Sequence, residues 1–203
     1  MLEIFRPTKP SPINQSNLFG ANPNDFYTAR NLGKGHPGID IEVPSGTPLY
    51  APVSGVAKYL RDNLGGDGLY IRTDAGDGHI YNIILWHLFP AGVPSFPFAI
   101  PTDGTETPVK TGELLAYTDN SGAPRESSGP HLHLGVQEII EAENGSWKPK
   151  APDNGYGGCE DPMPYLQAIA AQDVPVIENT IQKIAAEIEI VAEEIKNYIK
   201  THV

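Results

Sequence analysis

Two histidines, His131 and His133, stand two residues apart in the run Ser128-Gly129-Pro130-His131-Leu132-His133-Leu134. An apolar run of this kind reads as a β-strand, on which side chains at i and i+2 point to the same face. Both imidazoles therefore converge on one patch, where one can hold a metal ion and the other can handle a proton. Far upstream, His36 and Asp40 lie four apart where a loop becomes an alternating strand. A catalytic zinc site takes three protein ligands from His, Asp or Glu and leaves a fourth position for water. His36, Asp40 and His133 can complete such a set. His131 is then free to take a proton from the water or give one to a leaving amine. A zinc ion there would bring the pKa of bound water to about 7, making hydroxide available at neutral pH. His87, in Leu85-Trp86-His87-Leu88, ends another apolar run and could point to the same site.

These residues need strands to hold them. Only 19% of the 203 residues are charged and 39% are hydrophobic, while Gly (21) and Pro (20) abound, a mix that favours strands and turns over a helical bundle. In Ile39-Asp40-Ile41-Glu42-Val43 the apolar residues share one face and the acids the other. Further strands are expected over 49–60 (interrupted at Gly55), 69–73, 79–88, 113–118 and 131–139, separated by Gly-rich turns. The fold class read from this is mainly β, an antiparallel sheet of open two-layer or barrel-sandwich form, followed by C-terminal α-helices. Residues 1–35 read as an ordered segment wrapping the domain, and residues 90–108 as a Pro-rich binding loop.

Asp161-Pro162 is a helix start signal, which predicts a short helix through about residue 172. Asp173-Val174-Pro175 repeats the signal before a longer helix. Along it Ile177, Ile181, Ile184, Ile188, Val191, Ile195 and Tyr198 follow a heptad spacing. The expected division is a domain over 1–172 and a heptad helix over 173–203. Three heptads are marginal for a lone helix, so this one is expected either to self-associate or to fold back on the β-domain.

A net charge of −11 argues against nucleic-acid binding and gives no attraction to an anionic surface. No window has the roughly 18 apolar residues of a membrane span. The first residues lack the basic and apolar regions of a signal peptide, so none is expected. A single cysteine, Cys159, excludes an intramolecular disulfide, and no base near it in sequence suggests a nucleophile. Glu42 shares the Asp40 face and could support that ligand, Arg125 and Ser128 border the site, and His79 sits in a turn expected to face solvent.

Gly35-His36-Pro37-Gly38-Ile39-Asp40, Gly46-Thr47-Pro48, Ala51-Pro52-Val53-Ser54-Gly55-Val56, Trp86-His87-Leu88 and Ser127-Ser128-Gly129-Pro130-His131-Leu132-His133 resemble, in order, the M23 metallopeptidases. This is the lysostaphin and LytM-like family, with the duplicated hybrid motif fold. The resemblance runs from about residue 30 to Leu166, and Asp161-Pro162-Met163-Pro164-Tyr165-Leu166 looks like its closing segment. It implies a zinc-dependent endopeptidase that cuts the peptide stems or cross-bridges of peptidoglycan, acting at the bacterial cell wall. It implies zinc ligands His36, Asp40 and His133, a general base or acid His131, and His87 orienting the water or the developing oxyanion. Many members carry a Tyr two residues before the central His. Here that residue is Leu85, so a hydroxyl from Tyr81 or Tyr70 would have to stand in. The family also has members that cut little and serve as structural parts or as regulators of a wall hydrolase, which is the alternative function. In a latent form, an Asn of the first 35 residues, such as Asn31, would reach the fourth metal position.

Overall fold

Alternating apolar runs punctuated by Gly-rich turns fold this chain mainly into antiparallel strands. The computed structural model of the protein describes residues 1–62, 65–122 and 127–202. Strand β1 (Ile4–Arg6) precedes a one-turn helix, α1 (Phe26–Ala29), and the strands β2 (Ile39–Ile41) and β3 (Pro48–Tyr50). Three long strands follow, β4 (Gly55–Asp62), β5 (Gly66–Asp74) and β6 (Ile80–Leu88), then the short β7 (Thr107–Val109) and β8 (Leu114–Tyr117). After them come β9 (Leu132–Glu141), β10 (Trp147–Pro149), β11 (Cys159–Glu160), β12 (Leu166–Ala170) and a terminal helix, α2 (Val174–His202).

The main sheet has eight strands in the order β10-β9-β6-β5-β4-β7, with β2 and β11 also paired to β9. Every pairing in it is antiparallel. Two small sheets, β3 with β8 and β1 with β12, complete the pairings, and among the described residues none closes the main sheet into a barrel. The core lies on one face of the long strands, where Leu69, Ile71, Ile83, Leu85, Leu134 and Val136 are fully buried. Strand β9 is the organising element, since it pairs with β2, β6, β10 and β11, and its first five residues are buried on both faces.

The short helix expected over 161–172 does not form. Met163–Tyr165 makes a single 3-10 turn, and Leu166–Ala170 then runs as β12, parallel to β1. Local start signals lose here to a long-range partner: the fully buried Ile4 of β1 pairs with Leu166. The terminal helix does form, and from Pro175 onward every described side chain on it is exposed. The Pro-rich segment 90–108 packs its aromatics on rings outside it, with Phe96 stacked on Phe89 at 4.0 Å and Phe98 edge-on to Tyr59 of β4 at 5.1 Å.

Candidate metal centre

Asp40 and His133 are direct cross-strand partners in the β2–β9 ladder, so their side chains stand side by side on one face. Ile39 and Ile41, on the opposite face, anchor the same strand in the core. His36 lies just before β2 and is buried beside them, its Nε2 2.8 Å from His133 Nδ1 and 3.3 Å from Asp40 Oδ1. The third edge, His133 Nδ1 to Asp40 Oδ1, is 3.4 Å. With metal–ligand bonds of about 2.0–2.1 Å, tetrahedral geometry spaces donor atoms about 3.3 Å apart, close to this triangle.

Asp40 Oδ1 is buried and has no hydrogen-bond partner among the described residues. A carboxylate oxygen left unpaired among imidazole nitrogens is costly unless a cation fills the space. The donor set therefore fits a divalent metal, and His36, Asp40 and His133 form the group of candidate ligands found among the described residues. Burial alone would raise the Asp40 pKa, but contacts with His133 and His36 outweigh it and hold the carboxyl well below the usual range. Burial lowers the His133 pKa and keeps that ring neutral, with a lone pair to offer.

The ring orientations are set from behind. His36 Nδ1 donates to the Asn17 carbonyl at 2.9 Å, which turns Nε2 toward the triangle. The Asn17 amide in turn donates to Asp40 Oδ2. His131 Nδ1 donates to the Gly129 carbonyl at 2.8 Å, and its Nε2 lies 3.5 Å from Asp40 Oδ1.

His87 reaches the site through a defect in the sheet. Strict alternation would put it with Leu85 and Ile83 in the core. Instead Asp67 pairs with Leu88 and Gly68 with Trp86, which leaves His87 as an extra, bulged residue with φ +68°. That left-handed conformation is uncommon outside glycine and turns the imidazole to within 4.5 Å of the His131 ring. Its Nδ1 donates to the Ser121 carbonyl at 2.7 Å. Burial, reinforced by His131 and His133, pushes its pKa down to about 4, so the ring is neutral at neutral pH.

Two cavities adjoin this cluster, of about 200 Å³ and about 470 Å³, and both are lined by Asn17, Phe26, Tyr27, Asp40 and His131. Trp86, the cross-strand neighbour of His133, lines the smaller one, and its indole lies against Gly68, where a Cβ would come within 2.4 Å of the ring.

The four histidines and one carboxylate expected from the sequence (His36, Asp40, His87, His131 and His133) thus come together. Other expectations are corrected. Asn31 is exposed, and Asn17 is the asparagine of the first segment that contacts Asp40. Neither Tyr70 nor Tyr81 lines either cavity; the tyrosine that does is Tyr27 of α1, its ring 5.7 Å from His36. Leu85 is fully buried in the core. No residue of 90–108 lines these cavities. Glu42 and Ser128 are exposed on the rim of the larger cavity, and Arg125 lies outside the described residues. His79 is exposed, as expected, and pairs with Glu138 at 2.5 Å. Asn17, Tyr27 and Ser121 carried no sequence signal, since each meets the site through chain contacts far from the motifs.

The family model described as Peptidase family M23 matches residues 34–147. An uncharacterized metalloprotease of Haemophilus influenzae is 31% identical over 112 residues, 55% of this chain and 20% of that protein, so the chain spans about a fifth of that relative. The solved structure of LytU is 27% identical, with a TM-score of 0.50, covering 77% of this chain and 84% of LytU. A mutant catalytic domain of EnpA, a prophage-encoded M23 protein from Enterococcus faecalis, shares the fold at 21% identity and a TM-score of 0.50, covering 78% of this chain and 95% of that one. No helix among the described residues is long and apolar enough to cross a membrane.

Proposed function

This chain belongs to peptidase family M23, and on that premise we propose that it is a zinc-dependent endopeptidase that hydrolyses peptide bonds in the stems or cross-bridges of peptidoglycan, at the bacterial cell wall. The observation that carries the reading is the buried, unpaired Asp40 Oδ1 held within 3.5 Å of imidazole nitrogens of His36, His131 and His133. His36 Nε2, Asp40 Oδ1 and His133 Nδ1 would hold the zinc. When bound, the ion supplies a water acidified to a pKa of about 7 and polarises the scissile carbonyl.

The chain's own groups do the rest. His131 keeps its Nδ1 proton on Gly129, so Nε2 is the atom that takes a proton from the attacking water and delivers it to the leaving amine. His87 keeps its Nδ1 proton on Ser121, so its neutral ring offers a lone pair at Nε2. That ring orients the water as an acceptor, and donates to a developing oxyanion only after gaining a proton itself. Trp86, Phe26 and Tyr27 form apolar walls beside the cluster and narrow the space for substrate. A narrow space suits an extended peptide with small side chains.

Clearing of a peptidoglycan suspension by the zinc-loaded protein tests the reading, with His133→Ala and His131→Gln alongside. His133→Ala should lose stoichiometric zinc and activity together. His131→Gln should keep zinc and lose activity by about 10²–10⁴-fold. No clearing by zinc-loaded wild type would favour a structural or regulatory member of the family. Full activity of His133→Ala would sink the ligand assignment.

A further inference from the structure

Beyond Val174, helix α2 carries a row of large aliphatic side chains that no described residue of its own chain covers. Ile177, Ile181, Ile184, Ile188, Val191 and Ile195 are 39% to 63% exposed. The helix runs for 29 residues, about 44 Å at 1.5 Å per residue. Exposed apolar side chains at this density are a liability in water, and a helix of three heptads is marginal by itself. The spacing says what fits the row. Four, three, four, three and four residues separate successive members, a period of 3.5, and that period keeps a seam facing another helix that supercoils with it. Docking on a flat sheet face requires no such period.

The residue types select the partner further. Ile181, Ile188 and Ile195 take one core position of the heptad, and Ile177, Ile184 and Val191 the other. β-branched residues at both positions disfavour two strands and favour three or four. The flanking positions select orientation. In a parallel assembly Glu187 of one helix faces Ala192 of the next, with no charge conflict. In a fully overlapped antiparallel pair Glu187 would face its own copy, a like-charge contact.

We propose that α2 is an assembly element that joins three or more copies of this chain in a parallel coiled coil. The stripe on one helix meets the same stripe on its neighbours, so one chain supplies every surface that the assembly needs. The proposal stands apart from the catalytic reading, because it uses no residue of the metal centre.

Sedimentation equilibrium of the full chain, followed over a wide range of concentration, is the test. The expected result is a mass at least three times that of one chain. Ile184→Glu combined with Ile188→Glu should give a monomer with weaker helical dichroism, while strand dichroism and zinc binding stay unchanged. Ile181→Cys, under mild oxidation, should cross-link copies at matching positions, since the native Cys159 is buried. A wild-type monomer or dimer at all concentrations overturns the proposal. So does an unchanged mass in the double variant, or the absence of the Ile181→Cys cross-link.

Discussion

Asn17 braces two of the three candidate ligands at once, through its carbonyl on His36 and its amide on Asp40. Groups of this kind fix the rotamer and tautomer in which a ligand meets its metal, and losing one typically costs about 10–100-fold in metal affinity. Asn17→Ala keeps the backbone carbonyl and removes only the amide. It should weaken zinc binding toward the lower end of that range, measured by competition with a chromogenic chelator, and affinity equal to wild type would remove Asn17 from the site. Cys159 illustrates the opposite case of a titratable group with no chemistry. Burial, helped by the charge of Glu160, pushes its thiol up to about 12, so the reactive thiolate is scarce below that pH. Native protein at pH 8 should resist iodoacetamide, whereas denatured protein should be alkylated promptly. Fast labelling of the native protein would contradict the buried placement.

At the scale of elements, the centre depends on how closely β2 and β9 approach. Gly38 sits where a Cβ would lie 2.4 Å from the Leu134 carbonyl and 2.8 Å from His133 Cε1. Any side chain there pushes the strand or the ligand ring aside. Gly38→Ala should therefore lower zinc affinity and thermal stability together, and unchanged values for both would show that the strands have room to spare. The sheet also decides where His87 goes. Its alternation on β6 predicts burial with Leu85, and only the bulge against β5 brings it to His131. The helix expected over 161–172 failed for a related reason. Asp161-Pro162 is a sound local start signal, but the apolar run after it found a strand partner, β1, more than 150 residues earlier in the chain.

At the scale of the whole molecule, the candidate ligands come from a loop, a short strand and a long strand, yet one core holds all three. Ile39, Ile41, Leu132 and Leu134 are buried around them, so the centre is largely preformed by apolar packing. Chelating the metal should leave the strand content intact and lower the melting temperature. At free zinc about 100 times the dissociation constant, the stabilisation lost is about 2.7 kcal/mol. Calorimetry with and without chelator checks this, and a chain that unfolds outright on metal removal would show that zinc organises the fold.

The order of residues was sufficient for the family resemblance, the mainly β class, the terminal helix and the choice of the five candidate side chains. Those features follow from local periods and short motifs: a two-residue step puts His131 and His133 on one face, and a heptad marks α2 as a helix with one apolar stripe. Tertiary structure alone decided that Asn17 contacts both His36 and Asp40, that Tyr27 rather than Tyr70 or Tyr81 lines the cavity, that His87 leaves the core face, and that 166–170 pairs as a strand. Each of these rests on contacts between segments remote in the chain, or on a register set by a neighbouring strand. Such terms depend on the positions of other elements, and no local pattern encodes them.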